Sequence, residues 1–248
     1  MPDRKPADNP ASTESMRAFW DAKARESAMW YIDSRLDYRE PDEAEFWAAG
    51  EDVLDKSLAM FDLALKPTDR VLDLGCGIGR VTRAIANRVE AVVGVDVSAE
   101  MIEQGRRAMA GVRNVQLVLG NGRDLSDIKD DSFDVAYSFV TFQHIPDPDV
   151  ICSYIVEMGR VLKPGGWALF QHSDDPSVHQ AARQGWEGNP QSAGSPSGRG
   201  PRGCSEPQWA GVHVPKAQVD DALEKGGLML DGRNGEGTLF CFVLAHAM

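Results

Sequence analysis

The run Val71-Leu72-Asp73-Leu74-Gly75-Cys76-Gly77-Ile78-Gly79 constrains this chain more than any other stretch. A β-branched and leucine-rich segment carries an acid, Asp73, and breaks into a G-x-G-x-G turn, after which a helical pattern begins at once. A strand that stops in a glycine turn and feeds a helix presents bare backbone N–H groups to a ligand. The glycines let that ligand approach without meeting a Cβ. Asp73 separates this turn from a dinucleotide loop. It stands two residues ahead of the first glycine, puts a carboxylate where a pyrophosphate would sit, and suits a ligand with a positive group such as an ammonium.

Further strand ends follow in order. Residues 91–96 read as a buried strand closing on Asp96, 17 positions after Gly79, the offset at which a doubly wound fold sets a carboxylate on ribose hydroxyls. Residues 114–121 form a third strand ending in Gly120-Asn121, and residues 132–139 a fourth. An amphipathic helix over 147–162 then leads through Lys163-Pro164-Gly165-Gly166 into a fifth strand at 167–171. This succession resembles the class I S-adenosylmethionine-dependent methyltransferases over residues 68–172, and more loosely over 208–246. The resemblance implies an α/β fold: a doubly wound, mostly parallel seven-stranded sheet with one antiparallel C-terminal strand, behind an N-terminal helical lid.

Ahead of the first strand, residues 1–11 are charged and proline-bearing and read as disordered. A helical segment over 12–66 follows as lid and pocket wall, and 67–248 form the sheet domain. Met16, Phe19, Trp20, Ala24, Ala28, Tyr31 and Ile32 recur at helical spacing, with Ser12 or Thr13 as the cap. Phe46 and Trp47 precede Gly50, and Val53, Leu54, Leu58, Phe61 and Leu65 follow it in a second helical zone. Residues 183–207 are rich in Gly, Pro and Ser and read as a flexible insertion that either wanders over the surface or folds over substrate through Trp186 and Arg199 or Arg202. Residues 228–246 read as a terminal antiparallel pair, with 232–235 in its turn.

Composition narrows the partners. A net charge of −12 leaves no basic field for a phosphate backbone, which argues against nucleic acid as substrate. The four cysteines (Cys76, Cys152, Cys204, Cys241) have no zinc-like or disulfide-dense spacing, so no metal site is expected and the thiols read as reduced. No apolar run of spanning length and no signal-peptide core are present, which points to a cytoplasmic enzyme with no membrane partner; the oligomeric state stays open.

The resemblance assigns S-adenosyl-L-methionine as cofactor and S-adenosyl-L-homocysteine as product. Backbone N–H groups around Gly75, Cys76, Gly77 and Gly79 would receive its carboxylate, Asp73 its ammonium, and Asp96 both ribose hydroxyls. Val97 and Met101 would flank the adenine, and Ser138 and Phe139 would close the site at the end of the fourth strand. Many relatives end the third strand in Gly-Asp; here Asn121 would accept from the adenine amino group without charge, with Gly122 offering its N–H. Arg123 and Arg25 stand as outlying cationic candidates, the latter for the cofactor carboxylate.

Methyl transfer to a hydroxyl calls for a base, whereas an amine needs only to arrive unprotonated. His144, in Gln143-His144-Ile145-Pro146-Asp147 after the fourth strand, and His172, at the end of the fifth, are the catalytic candidates; His213, His179 and His246 rank behind them. The expected reaction is transfer to an O or N nucleophile of a small molecule such as a secondary metabolite, with a peptide or protein substrate as the alternative. A nicotinamide oxidoreductase would lack the acid before the turn and need another domain. A polyamine synthase would need acids after the fourth strand, where Ser138 to Gln143 have none, and a non-catalytic cofactor-binding protein is the remaining class.

Overall fold

The computed structural model describes residues 10–177 and 207–248. Of residues 1–11, expected to be disordered, 10 and 11 open a helix; residues 1–9, the insertion apart from Pro207, and with it His179, Trp186, Arg199, Arg202 and Cys204, lie outside the described residues. Seven strands form one sheet in the order β3-β2-β1-β4-β5-β7-β6. They are β1 (Arg70–Leu74), β2 (Ala91–Asp96), β3 (Val115–Leu119), β4 (Phe133–Ser138), β5 (Leu162–His172), β6 (Leu228–Asn234) and β7 (Cys241–Ala247). Every pairing from β3 to β5 is parallel, and β7 runs antiparallel to both β5 and β6. The sheet therefore has one reversed strand, as expected.

Alternation along the strands splits the core in two. Val71, Val135 and Leu169 face helices α2 (Glu43–Ala59) and α3 (Arg80–Ala86). Leu72, Ala136, Ala168 and Phe170 face α5 (Pro148–Val161) and α7 (Lys216–Lys225), where Ile151, Tyr154, Ile155, Met158, Val219 and Leu223 fill the interior. Consecutive residues of a strand point to opposite faces, so a run apolar at both parities must be buried on both sides. The first helix, α1 (Pro10–Ile32), and α4 (Ala99–Ala108) pack together at the β2–β3 end; a four-residue helix α6 (Pro207–Ala210) precedes α7.

Three boundaries differ from the sequence reading. Helix α1 starts at Pro10, ahead of the expected Ser12 or Thr13 cap, and is interrupted by one extended residue, Ser27, that turns its last segment. The terminal turn runs from Gly235, while Gly232 lies inside β6 at a register shift. Strand β5 begins at Leu162 rather than 167, because Leu162 already pairs with Phe133 before a bulge lets the Pro-Gly-Gly segment through. Helix α2 runs unbroken across Gly50, whose glycine has a different purpose. A Cβ there would lie 2.2 Å from the backbone oxygen of Arg80, so α2 and α3 touch backbone to backbone.

Gly50→Ala gains about 1 kcal/mol in helix propensity and loses more in overpacking against a carbonyl that cannot swing aside. We expect a net destabilisation of about 1–3 kcal/mol, read as a lower urea midpoint; an unchanged or higher midpoint would show that the two helices are free to separate.

Candidate active site

The carboxyl ends of β1, β2 and β4 open on a cleft of about 820 Å³, its open mouth included. Its floor is Leu74, Gly75, Cys76 and Gly77; one wall is Val95, Asp96, Val97 and Met101; the other is Phe139, Val140, Thr141, His144 and Ile145. Met16, Trp20, Tyr31 and Ile32 of α1 cover it. Of the helical segment expected as a lid, α1 supplies this cover, whereas α2 packs on the sheet beneath.

The glycine turn is shaped by protein on both sides. Gly75, Gly77 and Gly79 all have positive φ (76°, 56° and 96°). A Cβ at Gly75 would lie 2.0 Å from Thr141 Oγ1, and one at Gly77 2.7 Å from Ile32 Cδ1. The N–H groups, expected to be bare, are mostly spent. Gly75 and Cys76 donate to the Val95 carbonyl (2.7 and 3.1 Å), Gly79 to that of Cys76 (2.9 Å), and Gly77 to Asp96 Oδ2 (2.9 Å). Ile78 and the first turn of α3, which follow, are buried and are not part of the cleft lining.

Two carboxylates sit at the strand ends. Asp96 accepts from the N–H of Gly77 on Oδ2 and from that of Ser98 on Oδ1 (2.8 Å). Burial raises its pKa against the pull of those N–H groups. Asp73 lies beneath the turn, 3% exposed, and is not part of the cleft surface. Burial pushes its carboxyl up to about 6, against the Thr82 hydroxyl that donates to it (2.6 Å), and the charge of Asp96 adds to the rise. Arg80 is the nearby cation, and its guanidinium is held by the buried Asp33 at 2.7 Å.

The remaining sequence candidates divide. Cys76, Val97, Met101, Phe139 and His144 line the cleft. Burial and the two aspartates push the Cys76 thiol well above its usual range. Gly79 is the N-cap of α3, pressed on the Met109 methyl, and Ser138 is buried with its hydroxyl donated to the Leu74 carbonyl (2.9 Å). Asn121 is corrected. Its Oδ1 accepts from the N–H of Arg123 and of Asp124 and its Nδ2 donates to Asp124, so the side chain closes its own turn rather than facing adenine. Gly122 packs beside Val97 under Thr13 and Met16.

His172 is also corrected. It is 1% exposed, contacts the Ser173 carbonyl through Nδ1, and is not part of the cleft lining; burial lowers its pKa. His246 pairs with Asp231, and His213 is not among the lining residues. Arg25 pairs with Glu100 on the exposed side of α1, not with the cleft. Among the described histidines His144 alone lines the cleft, with Nδ1 2.7 Å from the Trp209 carbonyl and its ring among Trp20 and Trp209.

Sequence reasoning missed the polar contacts that seat α1. Arg17 donates to the carbonyls of Val97 (3.2 Å) and Gly120 (3.1 Å), bracing the ends of β2 and β3. Asp21 accepts from the Ser98 hydroxyl (2.6 Å) and the Glu100 N–H (3.1 Å) at the start of α4. These partners lie about 80–100 residues away, and no local pattern encodes them.

Residues 71–166 match the family model described as a methyltransferase domain. In this match and in the strand order above, the central part of the chain resembles a class I methyltransferase domain. The chain is 34% identical over 125 residues to a demethylmenaquinone methyltransferase of Staphylococcus aureus, covering 48% of this chain and 49% of that one. It spans between a third and half the length of the curated relatives it matches. In structure it resembles an S-adenosylmethionine-dependent methyltransferase of Mesorhizobium loti (TM-score 0.58, 23% identity, 77% of this chain and 96% of that one). It also resembles phosphoethanolamine N-methyltransferase 1 of Haemonchus contortus, solved with phosphoethanolamine and S-adenosylhomocysteine (TM-score 0.64, 15% identity, 95% and 48%). These two likenesses are of fold. Among the described residues no cluster of metal ligands occurs, and no helix is long and apolar enough to cross a membrane.

The folded pKa of Asp73, about 6, lies above its ordinary 3.8, so its contribution to stability is complete below pH 3.8 and is lost as pH rises through 6. Asp73→Asn keeps an acceptor for Thr82 and removes that loss, so the variant should be more stable than wild type above pH 6, by up to ~3 kcal/mol, and equal to it near pH 4. Urea midpoints measured across that range check this; parallel curves at all pH values would refute it.

Proposed function

We propose that this chain transfers a methyl group from S-adenosyl-L-methionine to an oxygen or nitrogen nucleophile of a small molecule, leaving S-adenosyl-L-homocysteine. The observation that carries the reading is electrostatic. The cleft is mostly apolar, yet the buried Asp73 and the half-buried Asp96 stand at its strand ends with raised proton affinity, and Arg80, the cation beside Asp73, is bound to Asp33. Such a site favours a ligand that brings positive charge and disfavours a diphosphate.

The donor supplies a methyl group already activated on a sulfonium, so the protein's work is to bind, align and keep the site dry. Asp96 retains lone pairs beyond those given to Gly77 and Ser98 and accepts from the ribose hydroxyls. Val97, Met101 and Met16 form the apolar slot for the adenine. The positive end of α3, behind the glycine turn, favours the carboxylate, and Asp73 stabilises the ammonium from beneath the turn. Trp20, Tyr31, Ile145 and His144 bound the acceptor end, where His144 meets the nucleophile.

An apolar, aromatic wall with no lysine or arginine among the described lining residues suits a neutral, flat or apolar acceptor. Cover by α1 favours this small-molecule reading over a peptide substrate, which would need an open groove.

Calorimetry tests the assignment. S-adenosylhomocysteine should give heat of binding and NADH none; the reverse would end the proposal. In Asp96→Ala, two charge-assisted hydrogen bonds are lost, and the affinity for S-adenosylhomocysteine should fall on the order of a hundredfold or more.

A further inference from the structure

A line of hydrogen bonds runs from the end of β4 through two amides to His144, and its direction is fixed at both ends. It begins at Val140, a β-branched residue with φ of +54°. That conformation is rare for such a side chain and persists only where the surroundings hold it. It aims the Val140 N–H at the side-chain oxygen of Gln171 on β5 (3.1 Å).

A backbone N–H can only donate, so the Gln171 atom that meets it is the carbonyl oxygen. The opposite end of the amide agrees. It faces the carbonyls of Leu239 (2.7 Å) and His172 (3.0 Å) and the side-chain oxygen of Gln143 (3.1 Å), all acceptors, and is therefore the NH2 group. Gln143 accepts with its oxygen, so its own NH2 group faces His144 Nε2 at 3.3 Å. On the far side of the ring the Trp209 carbonyl can only accept, and so Nδ1 carries the proton.

Both glutamines are buried, Gln171 completely and Gln143 to 8% exposure. Gln143 and His144 share a short 3₁₀ turn (Phe142–His144). Gly211 lets the other end of the line come close. With φ of +61°, a Cβ there would lie 1.7 Å from the Gln143 carbonyl oxygen, so the chain after α6 can press against this turn and bring Trp209 to the ring.

We infer that Gln171 and Gln143 are positioning residues that hold His144 as the neutral Nδ1–H tautomer, with Nε2 as a hydrogen-bond acceptor at the acceptor end of the cleft. The inference rests on the methyltransferase reading for what the acceptor does and on the geometry alone for which tautomer is present. A proton on Nε2 would face the NH2 group of Gln143. Turning that amide over would set its NH2 group against that of Gln171, which three acceptors prevent from turning in its own place. His144 thus orients an incoming N–H or O–H through Nε2 and is a poor store for the proton released on transfer, which leaves to water. The long contact to Gln143 is the one a substrate donor would share or replace.

Two-bond proton–nitrogen correlation spectra of the histidine rings, taken near neutral pH with S-adenosylhomocysteine added, read the tautomer directly. The His144 signals are those missing in His144→Asn. Wild type should show the Nδ1–H form. Gln143→Glu keeps the acceptor for Gln171 and presents a carboxylate oxygen to Nε2, so the His144 ring should now carry protons on both nitrogens. Gln171→Leu leaves the Trp209 carbonyl on Nδ1 but frees the Gln143 amide to turn its oxygen toward Nε2, so a larger share of His144 rings than in wild type should carry protons on both nitrogens. An Nε2–H ring in wild type, or an unchanged spectrum in a folded Gln143→Glu protein, would overturn the inference; the wild-type spectrum decides even if the variants do not fold. Absence of S-adenosylhomocysteine binding would instead count against the functional reading and leave the tautomer measurement standing.

Discussion

One carboxylate ties the two central strand ends together. Through Asp96 Oδ2, β2 holds the Gly77 N–H at 2.9 Å, and the Val95 carbonyl beside it takes the N–H groups of Gly75 and Cys76. The end of β1 is thereby bent across the end of β2, and this bend is the floor of the cleft. The glycines answer to that bend before they answer to any ligand. Thr141 presses on Gly75, Ile32 on Gly77 and Met109 on Gly79, each within 3 Å of where a Cβ would lie. A side chain at any of the three would push the turn away from the strands that define the site.

The cover over the site depends on polar contacts of a different reach. Arg17 spans two strand ends, Asp21 joins Ser98 in capping α4, and the buried Asp33–Arg80 pair pins the end of α1 to the start of α3. A buried pair of this kind adds little net stability over apolar packing, but leaving either partner alone is costly, so it favours one docked position over many. The interruption at Ser27 then swings Tyr31 and Ile32 over the glycine turn while the earlier part of the helix stays against α4. Seating α1 and completing the wall of the cleft are the same event.

Much of this was legible in the sequence, for a physical reason. Strands buried on both faces must be apolar at both parities, so Ala91 to Asp96 and Phe133 to Ser138 stand out from the helices between them. Acids and glycines at strand ends mark the site because little else explains them in an apolar run. The misreadings share a cause as well. Asn121 had the right address, but its short side chain closes its own turn, the commonest use of asparagine in a loop. His172 lies at a strand end like Asp96, yet its ring goes into the protein and not into the cleft. Gly50 lies inside the helical zone as read, but nothing local to it shows that it is a contact point between helices. Trp209, Arg17 and Gln171 act through partners distant in sequence, where periodicity carries no information.

Several of the local rules this chain breaks are broken around one place. A β-branched residue at positive φ, two carboxylates with raised pKa, a buried arginine whose Nε has no partner and two buried amides all stand within or beside the ends of β1, β2, β4 and β5. Within the strands of the sheet, propensity, pattern and packing agree, as they must for a sheet buried on both faces to choose one register. Each exception costs stability, and none improves the core. Their shared direction explains their concentration: the acids gather negative charge under a dry cleft, and the strained Val140 and the paired amides set the polarity of the histidine that faces it. A fold that kept these groups only for its own stability would have no reason to place them on the same rim.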